Sequence, residues 1–210
     1  MPSFDSIVVG EDWISEHFFT TDSTKESFQA EIIKLRKSWD EQAKEGHPTT
    51  LSRFSEVRGR LQILLAGLAE DPAGAREAYA LLRTALGSKG TTAAVTFERS
   101  GTETLVPGVW TTDNGDVLFM EAAAADAAED VLSSVKPLGR VLVDGKEVPS
   151  LTVAKVVSEI YLAERSPKYV VLMAGRWLVL TEQERWAEGR YLAADARRSL
   201  ILARPFNTIA

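Results

Sequence analysis

The sequence contains no cysteine, which excludes disulfide bonds and cysteine-based zinc sites and fits a reducing compartment. Histidine is nearly absent, because His17 and His47 are the two that the chain has. We therefore expect neither a histidine metal site nor a histidine-activated nucleophile. There is also no Gly-x-Ser-x-Gly elbow and no Gly-x-Gly-x-x-Gly phosphate loop. The common hydrolase and dinucleotide-binding motifs are thus missing.

Long apolar runs are missing as well, so the sequence predicts no membrane-spanning helix. Its N-terminus lacks the basic region and apolar core of a secretory signal. These absences predict a cytoplasmic protein with no membrane partner. Basic residues are fewer than acidic ones, and the resulting net charge of −6 argues against a free-standing nucleic-acid binder. A local basic patch is still compatible with that total.

The most informative stretch that is present is Lys168–Leu180, KYVVLMAGRWLVL. Its two apolar runs, Tyr169–Met173 and Trp177–Leu180, are joined by Ala174-Gly175-Arg176. Short β-rich runs around a glycine are typical of a tight hairpin. Because the apolar content is nearly continuous, we expect both faces of this hairpin to be covered.

Helical periodicity dominates the first 90 residues. Ser23 and Glu26 form a capping-box pattern before a first helix, and Asp71-Pro72 is a typical start for a third. Apolar stripes on the first two helices predict an antiparallel helical pair: Phe28, Ile32, Leu35 and Trp39 on one, and Phe54, Val57, Leu61, Leu64 and Leu68 on the other. On the third helix we expect Ala75, Tyr79, Leu82 and Leu86 to point inward.

After residue 90 the pattern changes to strands mixed with helices. Asn114-Gly115 between apolar runs is a strong hairpin signal. The predicted strands are Ala93–Glu98, Leu105–Thr111, Asp116–Glu121, Arg140–Asp144 and Arg190–Ala194, and the predicted helices are Ala122–Val135 and Ser150–Glu164. The sequence thus predicts an α/β (α+β) fold with a mixed β-sheet and flanking helices. We assign residues 1–90 to an N-terminal helical region and residues 91–210 to the mixed region, packed as one compact unit.

Three carboxylates are the best candidates for chemistry. Asp113, Asp116 and Glu121 belong to one predicted hairpin, where acidic residues can hold a divalent ion for phosphodiester hydrolysis. Carboxylates at turns are more often simply solvated. The sequence spacing does not place the nearest lysines, Lys89 and Lys136, beside these carboxylates.

Candidate binding residues are basic or aromatic. The most basic region covers the first two helices and includes Arg53 and Arg58, although acidic residues interleave there. Arg176 is the polar side chain of the Lys168–Leu180 turn and a candidate for a phosphate contact. Trp13, Phe18 and Phe19 either pack against the first helices or form a surface that docks a partner.

Several of these stretches resemble one family. They are Asp12–Thr20, Ser27–Gln29, Leu35–Trp39, Pro167–Leu180, Glu184–Trp186 and Gly189–Leu192. Together they resemble the N-terminal region of large bacterial DNA methylases of the type IIG restriction–modification kind. The resemblance covers most of the chain and implies a nuclease-like domain of the PD-(D/E)XK type, which has a restriction-endonuclease-like fold.

The family's nuclease signature is altered here. A family strand ends in Glu-x-Lys, whereas the corresponding strand here ends Glu121-Ala122-Ala123. The family's Pro-Asp pair falls at Val106-Pro107-Gly108, where glycine replaces aspartate. The methylase loop Asn-Pro-Pro-Tyr/Phe is also missing. The resemblance therefore implies a module without chemistry of its own, with no cofactor or metal.

These observations lead to one functional expectation and two alternatives. The chain is expected to be an accessory or N-terminal module of a restriction–modification or phage-defence methylase. Its partners would be DNA, the methylase domain or other restriction–modification subunits. One alternative is an active DNA endonuclease with Mg²⁺ on Asp113, Asp116 and Glu121. The other is a protein–protein docking domain that uses Trp13, Phe18 and Phe19.

Overall fold

The computed structural model describes residues 6–15, 18–19, 27–68 and 73–198. The helices are α1 (Phe28–Lys44), α2 (Thr50–Gly67), α3 (Gly74–Leu86), α4 (Ala128–Ser133), α5 (Val153–Leu162) and α6 (Gln183–Trp186). The strands are β1 (Ile7–Gly10), β2 (Gly90–Arg99), β3 (Thr102–Thr112), β4 (Val117–Ala122), β5 (Leu142–Val143), β6 (Lys146–Glu147), β7 (Tyr169–Ala174), β8 (Trp177–Glu182) and β9 (Tyr191–Asp195).

All of these strands join one sheet, in the order β1-β9-β8-β7-β4-β3-β5-β6, with β2 also paired to β3. Neighbouring strands are antiparallel except β4 and β7, which run parallel from Val117↔Tyr169 to Ala122↔Ala174. A parallel pair needs a long crossover, and the chain between β4 and β7 provides it with α4, β5, β6 and α5. The predicted mixed α/β fold is confirmed as a mostly antiparallel sheet with flanking helices.

Two apolar cores cover the two faces of the sheet. In β4, Leu118 and Met120 belong to the core that contains α4 and α5, whereas Phe119 belongs to the core that contains α2 and α3. In β7, Leu172 and Met173 divide between the same two cores. This alternation follows from the two-residue period of a strand. Because β4 and β7 are central, both of their faces are buried.

The hairpin predicted at Lys168–Leu180 is confirmed as β7 and β8. The pairing of Ala174 with Trp177 leaves Gly175 and Arg176 as its turn, and Gly175 has a φ of +68°. A side chain at Gly175 would approach the Cβ of Ala124 to 2.9 Å, so the turn has no room for one.

The predicted alanine-rich helix Ala122–Val135 is wrong in its first half. Ala122 ends β4, and helix α4 covers only Ala128–Ser133. Helix propensity is overridden because the backbone makes tertiary bonds here: Ala123 N–H donates to Lys136 O (3.0 Å) and Ala125 N–H donates to Ala174 O (3.4 Å). The Asp130 side chain then accepts from Ala127 N–H and begins the helix.

The helices of the first 90 residues pack differently from the prediction. The pair that packs together is α2 with α3, and Leu61, Leu65, Tyr79 and Leu82 form its buried seam. Helix α1 has no buried residue, and its stripe residues Ile32 and Leu35 are exposed. Leu86, predicted to point inward, is exposed too. Ser23, Glu26, Asp71-Pro72 and His17 lie outside the described residues.

The N-terminal strand β1 belongs to the same sheet as the later strands, since it pairs with β9 from Ile7↔Ala194 to Gly10↔Tyr191. The described part of residues 1–90 therefore contains a strand as well as helices. Among the described helices, none is long and apolar enough to cross a membrane.

Candidate functional site

The segments Val106-Pro107-Gly108 and Glu121-Ala122-Ala123 meet where β3 and β4 separate. β3 pairs with β4 at Trp110 and Thr111, and with β5 at Thr104 and Leu105. Between these ladders lies Pro107-Gly108, where proline has no N–H to donate and Gly108 has a φ of +71°. Gly108 and Glu121 line one small pocket of about 20 Å³, which has room for roughly one water molecule.

Glu121 in this pocket is neutralised by an arginine. Arg83 Nη1 of α3 donates to Glu121 Oε1 at 2.8 Å, and each side chain is only 13% exposed. A charge-assisted bond of this kind is strong when both groups are largely removed from water. The guanidinium therefore supplies the positive charge that a carboxylate at the end of a strand requires.

The end of β4 is enclosed by the segment Lys136–Leu138. Ala123 N–H donates to Lys136 O and Leu138 N–H donates to Glu121 O, both at 3.0 Å. Arg76 of α3 also reaches this segment, and its Nη2 donates to Leu138 O at 3.4 Å. The backbone of Ala123 is thus fixed at a well-paired strand end.

Tyr79 connects α3 to the ends of both parallel strands. Its hydroxyl donates to Ala122 O at 2.8 Å and accepts from Gly175 N–H. The side chain is fully buried. Burial raises the pKa of the Tyr79 hydroxyl to about 12, so it is a neutral hydrogen-bonding group at physiological pH.

A cleft of about 410 Å³ opens at the carboxyl ends of β4 and β7, and we call it the β4/β7 cleft. Ligands of open α/β sheets commonly bind at this position relative to the parallel strands. The cleft has both apolar and charged walls, which are formed by Leu65, Ala66, Leu68, Ala75, Ala123, Ala124, Ala125, Asp126, Leu138, Gly175, Arg176 and Arg197.

Arg176 is held at the edge of this cleft. Its Nη2 donates to Asp126 O at 2.8 Å, and its guanidinium lies 4.9 Å from the ring centre of Trp177. Arg176 Nε is 3.6 Å from an oxygen of Asp195, which is 2% exposed. Asp195 also accepts from Arg197 N–H at 2.9 Å. The predicted phosphate-contact residue therefore lies in a charged cluster at the turn between β7 and β8.

The candidate carboxylates do not come together. Asp113 and Asp116 lie in the exposed turn before β4, where Asn114 Nδ2 donates to the Asp116 carboxylate. Glu121 lies near the other end of β4, about 16 Å away at 3.3 Å per residue. No single ion can contact all three in this arrangement. No group of three histidine, aspartate or glutamate side chains converges elsewhere in the described ranges either.

The candidate arginines of the second helix have structural contacts. All three nitrogen positions of Arg53 donate within the protein: Nε to Ala85 O (3.4 Å), Nη1 to Pro48 O (2.9 Å) and Nη2 to Thr50 Oγ1 (3.1 Å). Arg53 thereby joins the start of α2 to the end of α3. Arg58 is half-buried on the same helix.

The N-terminal aromatics are divided between packing and exposure. Phe19 is 6% exposed, and its ring centre lies 5.0 Å from that of Phe28. Phe18 belongs to the same aromatic cluster but is 47% exposed. Trp13 is half-buried. The packing interpretation therefore describes Phe19, whereas Phe18 remains accessible to a partner.

Sequence reasoning missed the groups that form the site around Glu121. Arg83 and Tyr79 of α3 bond to the end of β4. Asp195 at the end of β9 approaches Arg176, and Arg197 lines the neighbouring β4/β7 cleft. Their separation in sequence from β4 leaves no motif to detect. An inward-facing tyrosine was predicted at position 79, but its hydrogen bonds to two strand ends depend on the tertiary fold.

The chain matches no protein-family model, no curated protein and no solved structure.

Proposed function

We propose that this chain is a nuclease-like module without catalysis, which positions DNA or partner domains in a restriction–modification or phage-defence methylase. The ion pair between Arg83 and Glu121 carries the proposal. Where the resembling nucleases have an aspartate, an acidic residue and a lysine, this chain has Gly108, Glu121 and Ala123. The one acidic residue that remains is paired with arginine.

The order of elements supports the nuclease-like part of the proposal. Helix α3 is followed by the antiparallel strands β2, β3 and β4, then by a helical crossover, then by β7. The resemblance implies this order. The altered positions Gly108 and Glu121 also lie in one pocket, as two halves of one signature should.

The DNA part of the proposal depends on the resemblance and on cations near the site. Arg176 and Arg197 line the β4/β7 cleft next to Ala123. Guanidinium groups are well suited to phosphate oxygens because their N–H groups form a planar fork. The total charge of −6 means that any such contact would be local.

The proposal is tested by incubating the full chain with supercoiled and linear duplex DNA in the presence of Mg²⁺ or Mn²⁺. We expect no cleavage with either ion, and duplex binding whose affinity falls with salt. Metal-dependent cleavage that is lost in Glu121→Gln would overturn the proposal in favour of a variant nuclease. Asp116→Asn serves as the matched control, because it removes a carboxylate from the exposed turn that precedes the same strand.

A docking domain is the second candidate, and the exposed face of α1 favours it. Ile33 is 55% exposed, and Leu35 and Phe18 are exposed as well. Duplex binding that is absent at low salt, together with self-association or partner capture lost in Ile33→Glu, would favour this candidate. Glu41→Lys on the exposed surface of the same helix is a control for charge change alone.

A further inference from the structure

The β4/β7 cleft has the dimensions and walls of a small-molecule site. Its volume of about 410 Å³ lies within the common range of such sites, roughly 300–1,000 Å³. Its apolar lining consists of alkyl groups at the end of α2, of Leu138, and of the methyl groups of Ala123, Ala124 and Ala125. This lining offers an apolar surface to the body of a ligand.

The charged groups lie at the edge of the cleft, and they differ in how many contacts hold their side chains. Arg176 is held by Asp126 O, by the ring of Trp177 and by Asp195. Arg197 is exposed, and with the described residues its guanidinium makes no hydrogen bond or ion pair. Asp126 is the one carboxylate among the lining residues. A fixed cation beside a free one suits an anionic group that enters from solvent.

We propose that the β4/β7 cleft binds one nucleotide unit, with its phosphate at Arg197 and Arg176 and its base against the apolar lining. The choice of a nucleotide over another organic anion rests on the proposed function. The unit could come from a free nucleotide or from an unpaired position of a DNA strand. Both sources share a phosphate ester and a flat base that are joined through a sugar, and the experiment separates them.

The test is a calorimetric titration of the full chain with thymidine monophosphate, thymidine, inorganic phosphate and a short oligothymidylate. We expect thymidine monophosphate to bind more tightly than thymidine or phosphate alone, because the cleft contacts both the phosphate and the base. Tighter binding of the oligonucleotide than of the monophosphate identifies DNA as the source. The reverse order identifies the free nucleotide.

Two variants assign the binding to this cleft. Arg197→Ala should weaken binding of thymidine monophosphate about tenfold, the effect of losing one charge-assisted contact, and leave thymidine unchanged. Arg140→Ala removes the same charge from a residue that does not line the cleft, and it should change binding of neither ligand. Ala66→Trp should fill the cleft from an exposed helix position and abolish binding. Ala43→Trp, on exposed α1, is its matched control.

Equal binding of thymidine and its monophosphate, no binding of either at millimolar concentration, or unchanged binding in Ala66→Trp would overturn the inference. These outcomes differ from failure of the proposed function. If duplex DNA binds without cleavage and the nucleotide does not bind, this inference fails and the proposed function stands. If the chain cleaves DNA while the Ala66→Trp variant loses nucleotide binding, the cleft is supported and the proposed function fails.

Discussion

The two ends of β4 carry carboxylates in contrasting surroundings. At the start of the strand, Asp113 and Asp116 are exposed in a turn whose polar contacts are local. At its end, Glu121 is nearly enclosed and bonded to Arg83 of another helix. The sequence pattern groups these residues as one acidic hairpin. The fold separates them by almost the whole strand, and only the enclosed end meets the crossover, α3 and the cleft.

This difference shows why residue type alone does not locate a site. A carboxylate in a turn is stabilised by water, so its neighbours have little influence on it. A carboxylate beside a packed helix needs a partner, since leaving it unpaired away from water is unfavourable. The identity of that partner, an arginine or a metal ion, then separates a structural site from a catalytic one.

The largest expected effect is loss of one member of the enclosed pair. Glu121→Ala or Arg83→Ala should lower the free energy of unfolding by about 3 kcal/mol, because a largely buried charge is left without a partner. Urea denaturation of both single variants and the double variant measures this effect. The double variant should lose less than the sum of the single variants.

The pair between Arg60 and Glu77 is a control for that experiment. It is bidentate, at 2.8 and 2.9 Å, but about half of each side chain is exposed. Because water screens exposed pairs, Glu77→Ala should destabilise the protein less than Glu121→Ala. Equal losses from the two variants would remove the contrast between an enclosed and an exposed carboxylate.

Removal of the Tyr79 hydroxyl should have the next largest effect. Tyr79→Phe keeps the ring but leaves Gly175 N–H and Ala122 O without their shared partner. We expect a loss of about 2 kcal/mol in the free energy of unfolding. Tyr169→Phe is the matched control, since Tyr169 is only half-buried in β7. A loss no greater than that of the control would show that Tyr79 does not hold α3 to the strand ends.

Alkaline pH should weaken the fold through buried tyrosines. Burial raises the pKa of Tyr79 and of Tyr161 to about 12. Between pH 10 and 12 the unfolded chain loses these protons and the folded chain keeps them, so stability falls as pH rises. The slope is at most about 1.4 kcal/mol per pH unit for each tyrosine. Denaturation at pH 8 to 11 should give a shallower decline for Tyr161→Phe than for Tyr169→Phe.

The smallest effect is expected at the exposed end of β4. Asp113→Ala should change the free energy of unfolding by less than about 0.5 kcal/mol, because its carboxylate is exposed. A thermal or urea unfolding curve measures the change. A loss close to that of Glu121→Ala would mean that the two ends of the strand are energetically alike.

Much of the fold could be predicted from local patterns. The hairpin of β7 and β8 follows from two apolar runs around Gly175, and Asn114-Gly115 marks the turn before β4. Such signals are local, because a turn residue and a short apolar run lie within a few residues of each other.

The errors arose where tertiary contacts decide the structure. Ala122–Ala125 has strong helix propensity, yet pairing with Ala174 and Lys136 keeps it out of a helix. The stripe of α1 has helical spacing, yet its residues Ile32 and Leu35 are exposed. In the site, Glu121 could be identified by its resemblance to a signature, whereas its partner Arg83 lies 38 positions earlier, without a spacing rule.

The central claim is that the partner of Glu121 is an arginine and not a divalent ion. The most direct measurement is the thermal unfolding midpoint of the full chain with and without millimolar Mg²⁺ or Mn²⁺, compared with Glu121→Gln. An ion that binds the folded state raises the midpoint. We predict no rise for the wild-type chain with either ion. A rise in the wild type that disappears in Glu121→Gln would contradict the claim.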